Sequence, residues 1–206
     1  YNRYMDIILT SLGTHNPTIR EYIFEHTLNQ GLNKMLFITT GCNLLGEPDF
    51  LIDEQQRLAQ TEFDITQYDI ADKSFEELCS VIATNDVIWM HGGKPFYLLK
   101  HIRETRFKDA LLQEGKEKIY VGQSSGSYIA CPNIDMALWK KPDRERFCLE
   151  DATAMGLVDF MIFAHHVPKY NELIKEKKRD LDIELFTITD EQAIAVINGK
   201  REFINY

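Results

Sequence analysis

The stretch KIYVGQSSGSYIAC, residues 118–131, constrains this chain more than any other. Ile119, Tyr120 and Val121 are β-branched or aromatic and read as the end of a buried strand. Gly122-Gln123-Ser124-Ser125-Gly126 follows at once, and residues 127–131 read as a helix of small residues. G-x-S-x-G between a strand and a helix is the setting of a nucleophile elbow. The flanking glycines fit a turn so tight that a Cβ would press on the neighbouring strand or helix. Such a bend needs a strand that runs straight into a helix packed on its own sheet, which predicts an α/β fold.

The rest of the chain repeats that alternation. Apolar runs at 6–10, 34–40, 62–70 and 86–90 read as strands. Between them come helical patterns: one opened by Pro17, a polar one at 50–60, and one at 73–83. Pro95 opens a long helix through residue 112, with Phe96, Leu98, Leu99 and Ile102 inward. Alternation of this kind predicts a mostly parallel sheet with helices on both faces. Regularity fails at 132–154, just past the elbow, where a ligand crevice is expected. A strand at 157–163 ends in Ala164-His165-His166, and a helix spans about 170–180. Short β runs at 184–187, 192–197 and 202–204 close the chain, with Asn198-Gly199 as a hairpin turn. At 206 residues, a single domain over 1–206 is expected.

Composition narrows the partners. A formal net charge of −9 argues against a nucleic-acid backbone. No apolar run is long enough to span a bilayer, and no signal peptide is visible. The four cysteines, Cys42, Cys79, Cys131 and Cys148, lack paired spacing, which fits free thiols in a reducing cytoplasm. No metal-ligand spacing and no phosphate loop is present, so neither metal nor cofactor is expected. A monomer and a homodimer are both compatible with this composition.

A serine hydroxyl is a poor nucleophile until a base removes its proton, and that base is usually histidine. His91, His165 and His166 all end strands on the elbow's edge of the sheet, and the sequence leaves the choice open. His91-Gly92-Gly93 closes the strand before the elbow strand. Its glycines let backbone approach a substrate, so the N–H groups of Gly93 and Ser125 are expected to form an oxyanion hole. Asp135, Asp143, Glu150, Asp151 and Asp159 are candidates for the carboxylate that orients the base.

Taken together, these stretches resemble the peptidase E family of serine peptidases, which includes cyanophycinases. Its G-W-S-A-G-A elbow is similar to Gly122–Ser127 here, followed by the same Ala130-Cys131-Pro132. Its V-G-G-G-N-T-F-x-L-L-K run matches residues 90–100, and its G-L-G-L-(V)-D-F…P-H matches 156–160 with Ala164-His165. The opening ILTSLGTHNPTIR and the closing ITDEQAIAVINGK are also family-like. The resemblance implies a flavodoxin-like three-layer sandwich, shared with class I glutamine amidotransferases, and an aspartyl-dipeptidase activity. It makes Ser124 the nucleophile, His165 the base, and Gly93 and Ser125 the oxyanion donors. For the acid, counting forward from Ser124 reaches Trp139 and counting back from His165 reaches Asp143; Asp143 is the expected residue. The family's Asn-Thr is Lys94-Pro95 here, its Ala after the nucleophile is Ser125, and its Pro before the base is Ala164. The expected function is hydrolysis of small peptides. The alternatives are a catalytically inactive binding protein on the same fold, motivated by Lys94, Pro95 and Trp139, and an α/β-hydrolase esterase, disfavoured by chain order. Lys94, Arg103, Arg144, Arg146 and Lys169 are the cations that could recognise an acidic substrate.

Overall fold

The computed structural model describes residues 5–142 and 145–205. Seven strands form one sheet in the order β3-β2-β4-β5-β1-β8-β9. Here β1 is Met5–Thr10, β2 Lys34–Ile38, β3 Asp64–Tyr68, β4 Val87–Met90, β5 Lys118–Gln123, β8 Ala193–Ile197 and β9 Lys200–Ile204. The strands from β3 to β1 pair in parallel, while β8 runs antiparallel to both β1 and β9. The parallel strands are apolar in unbroken runs because both faces are covered. Alternate residues serve opposite layers. Ile8, Phe37, Trp89 and Val121 pack with Ile19 and Ile23 of α1 (Pro17–His26) and Leu51 and Leu58 of α2 (Asp49–Leu58). Ile7, Leu9, Ile88, Met90 and Tyr120 pack on the other face, against α3 (Phe75–Ala83), α4 (Pro95–Glu104), α5 (Phe107–Glu114) and α6 (Ser125–Ala130). This is the expected three-layer α/β sandwich with a C-terminal β hairpin.

Three elements depart from the sequence expectation. The helix foreseen over 95–112 is two helices, α4 and α5, broken where Arg106 takes a left-handed φ of 59°. The break turns Phe107, Ala110 and Leu111 into the core. The strand foreseen over 157–163 shortens to β6, Met161–Phe163, because the N–H groups of Gly156, Leu157 and Val158 bond back to the end of α6. β6 pairs in parallel with β7 (Leu185–Thr187) in a separate two-stranded sheet. Among its described residues, the segment after the elbow holds one short helix, α7 (Met136–Trp139). A last helix, α8 (Asn171–Lys178), joins β6 to β7.

The β1–α1 loop is tied to α2 by a buried carboxylate. Glu54 is fully buried and accepts from Thr14 N–H at 3.0 Å, Thr14 Oγ1 at 2.8 Å and Arg57 Nη2 at 2.5 Å. Removing Glu54 strands the buried Thr14 donors and leaves the partly buried Arg57 charge uncompensated. Glu54→Ala is therefore expected to cost about 3 kcal/mol. That should appear as a thermal midpoint lower by about 6–12 °C for a chain of this size. Differential scanning calorimetry checks it. The loop matters because its first residue, Ser11, belongs to the site below.

Candidate active site

Ser124 is the bend between β5 and α6. Its backbone, φ 53° and ψ −111°, lies where residues with a side chain rarely go. The surroundings hold it there. Its N–H donates to Thr10 O at 3.0 Å, and its carbonyl accepts from Ser127 and Tyr128. Ser127 Oγ sits within bonding distance of the Thr10 and Gly122 carbonyls, and Tyr120 donates to Gly126 O at 2.7 Å. Gly126 has no alternative: a Cβ there would lie 1.9 Å from Met90 O in the neighbouring strand.

Gly92 and Gly93 run against Ser124 from β4. A Cβ on Gly92 would fall 3.5 Å from Ser124 Oγ, which shows how close this backbone passes. Gly93 has φ 135°, and its carbonyl accepts from Ser125 Oγ at 2.7 Å. Lys94 N–H donates to Gly41 O at 2.8 Å. The Gly93 N–H has no backbone acceptor among the described residues, and Ser125, as the first residue of α6, has none within its helix. Among the described residues, both N–H groups are thus without a backbone acceptor. The Ser125 hydroxyl links the two turns through the Gly93 carbonyl.

Of the three histidines left open by the sequence, His165 is the one hydrogen-bonded to Ser124. Its Nε2 is 2.9 Å from Ser124 Oγ. His165 has a left-handed φ of 54°. Its N–H donates to Ser11 Oγ at 2.9 Å, and its carbonyl accepts from Lys140 Nζ at 3.1 Å. His166 bonds to Asn171 instead. His91 is completely buried, its Nδ1 faces Cys42 Sγ at 3.6 Å, and burial brings its pKa down to about 4.

The carboxylate on His165 belongs to Asp190, whose Oδ1 lies 2.6 Å from His165 Nδ1. The same oxygen accepts from Ser11 Oγ at 2.6 Å. The hydrogen bond from His165, with help from the Ser11 hydroxyl and the charges of His165 and Lys140, holds the Asp190 pKa below the usual carboxylate range despite partial burial. Sequence reasoning placed this role between the elbow and the base, at Asp143, which lies outside the described residues. The carboxylate that meets His165 comes instead from later in the chain than His165 itself. Asp190 follows β7 and precedes β8. Because β8 runs antiparallel to β1, its start lies at the edge of the sheet where β1 and β5 end. The other candidates are engaged elsewhere or exposed: Asp151 pairs with Arg103, Asp159 with Arg201, and Asp135 and Glu150 face solvent. Trp139 stacks on Phe163 with centroids 5.9 Å apart.

A cavity of about 670 Å³ opens over Ser124 and His165. Lys94 and Lys141 line it, together with Glu145. Among the other cations considered for an acidic substrate, Arg103 is paired with Asp151, Arg146 lies over the Phe96 ring and Lys169 over Tyr170. Arg144 lies outside the described residues. No group of three or more metal-ligating side chains occurs among the described residues, and none of their helices is long and apolar enough to cross a membrane.

With this geometry in view, the sequence can be set beside known proteins. Residues 7–204 match the sequence profile of peptidase family S51. The chain belongs to this family. An uncharacterized peptidase of Pasteurella multocida is 30% identical over 137 residues, covering 65% of this chain and 66% of that protein. One of Listeria monocytogenes is 31% identical over 103 residues, half of each chain. The matched stretches thus span two thirds or less of these relatives. Among solved structures, a Listeria monocytogenes protein described as a peptidase E superposes with a TM-score of 0.76 at 22% identity, covering 98% of both chains. A peptidase from an acI-B1 actinobacterium gives 0.61 at 16% identity, over 93% of this chain and 83% of its own. At these identities the structural likeness establishes the S51 fold and not its chemistry.

Proposed function

We propose that this S51 protein is a serine peptidase acting on small peptides. The reading rests on one observation: a continuous hydrogen-bonded series from Ser124 Oγ through the His165 ring to Asp190, at a strained strand–helix bend. In the proposed reaction His165 Nε2 takes the Ser124 proton as Oγ attacks the scissile carbonyl. The N–H groups of Gly93 and Ser125 receive the developing oxyanion. Asp190 keeps the proton on Nδ1 and balances the imidazolium, and His165 then protonates the leaving amine. Water repeats the sequence on the acyl-enzyme and releases the acid.

The competing reading, an inactive binding protein, was motivated by Lys94, Pro95 and Trp139. None of the three interrupts the series. Lys94 is bonded through its backbone to Gly41, Pro95 is the first residue of α4, and Trp139 packs on Phe163. A fluorophosphonate probe separates the two. Intact-mass analysis should show one adduct on the wild-type protein, mapped to Ser124, and none on Ser124→Ala. An unlabelled wild-type protein that also fails to hydrolyse a dipeptide panel would favour the binding protein.

A further inference from the structure

We infer that the acyl side of the site accepts a bulky apolar side chain, aromatic or branched aliphatic, on the residue whose carbonyl Ser124 attacks. The inference rests on the peptidase reading and adds its substrate class. It follows first from topology. Ser124 ends β5, which lies between β1 on one side and β4 and then β2 on the other. The base is held from the β1 and β8 side, by Ser11 after β1 and Asp190 before β8. A leaving amine must face the base that protonates it. The leaving half of a peptide therefore lies toward β1, and the acyl half extends over β4 and β2.

What waits there is apolar. Leu45 and Phe50, from the connection between β2 and α2 and its first turn, line the cavity while 39% and 40% exposed. Phe96 and Phe147 line it too. Phe50 is not loose: its ring stacks parallel to His91 at 5.8 Å, and His91 meets Phe37 of β2 edge-on at 5.4 Å. The wall is thus continuous with the core. Burial keeps His91 neutral at ordinary pH, so no cation stands behind it. A side chain laid on this wall removes apolar surface from water on both partners.

The cations are arranged less favourably for an acidic side chain. Lys94 Nζ lies over the Phe147 ring at 6.0 Å, and Lys141 is exposed. Glu145 lines the same cavity and would repel a substrate carboxylate. Arg146 is drawn onto the Phe96 ring, and Arg144 lies outside the described residues. The aspartyl-dipeptide specificity that the family resemblance implies is therefore not the one this wall favours.

The test compares Phe-Ala, Leu-Ala, Ala-Ala and Asp-Ala. Wild-type kcat/KM for Phe-Ala and Leu-Ala should exceed that for Asp-Ala by about tenfold or more, and Phe50→Ala should shrink the Phe-Ala to Ala-Ala ratio by about 10- to 100-fold. A second readout uses Ser124→Ala protein, whose thermal midpoint should rise more with Phe-Ala and Leu-Ala than with Asp-Ala. Preference for Asp-Ala in turnover or binding would overturn the inference, as would an unchanged ratio in Phe50→Ala. The two readings fail separately. Labelling at Ser124 with a preference for Asp-Ala leaves the peptidase and removes the apolar subsite. No labelling or turnover, with selective Phe-Ala binding by the Ser124→Ala protein, does the reverse.

Discussion

Asp190→Asn is expected to lower kcat by about 10⁴ while leaving KM little changed. The carboxylate oxygen that faces His165 Nδ1 already accepts from Ser11 Oγ, so both neighbours need an acceptor there. An asparagine can satisfy the ring only with its carbonyl. If it turns its NH₂ toward Nδ1 instead, the ring proton moves to Nε2, and His165 can no longer receive the Ser124 proton. In either orientation the imidazolium formed during attack loses its counter-charge. The pH behaviour should change in a defined sense. The folded-state pKa of Asp190 is depressed, so its contribution to stability is complete above the ordinary carboxylate range and is lost as pH falls through the lowered value. The asparagine variant should therefore lose stability less steeply on acidification. Loss of wild-type activity at mildly acidic pH should not come from this group. Steady-state kinetics, with urea unfolding at several pH values, measures both effects. Full activity in Asp190→Asn would return the role to another carboxylate.

The strand–helix bend at Ser124 is legible in the sequence and the contact of Asp190 with His165 is not, and the reason is topology. The serine announces itself locally, because a strained bend needs glycines on both sides and leaves a five-residue signature. An orienting carboxylate has no local signature; any acid reaching Nδ1 serves. The family resemblance points to the segment between the elbow and His165, at Asp143. An antiparallel strand brings its beginning to the edge where the parallel strands end. The Asn198-Gly199 turn made β8 and β9 legible as a hairpin, but not that β8 would lie antiparallel to β1. That pairing alone puts Asp190 beside Ser11. The parallel layers were readable from unbroken apolar runs such as Val87–Met90. The break between α4 and α5 was not, since neither Gly nor Pro marks it and an arginine takes the left-handed turn. Likewise, the alanine-to-serine change at 125 looked conservative in sequence, yet its hydroxyl reaches across to Gly93.

That contact leads to the second large effect. Gly93→Ala is expected to reduce kcat on the order of 10²–10³-fold, the usual consequence of losing one oxyanion donor. With φ at 135°, the backbone of Gly93 is in a region that side-chain-bearing residues rarely adopt, and an added Cβ would meet Gly41 O at 2.2 Å. The turn must shift, and the Gly93 N–H shifts with it. The damage should stay local, because residues 91–94 connect β4 to α4 without belonging to either. Circular dichroism should remain that of the wild type, and a cooperative thermal unfolding transition checks that the variant is folded. Ser125→Ala supplies the comparison. It removes the hydroxyl that holds the Gly93 carbonyl but keeps both N–H donors, so its kcat should fall far less. If Gly93→Ala proved as active as wild type, the oxyanion would have to be received elsewhere, and the N–H groups that begin α6 would carry it alone.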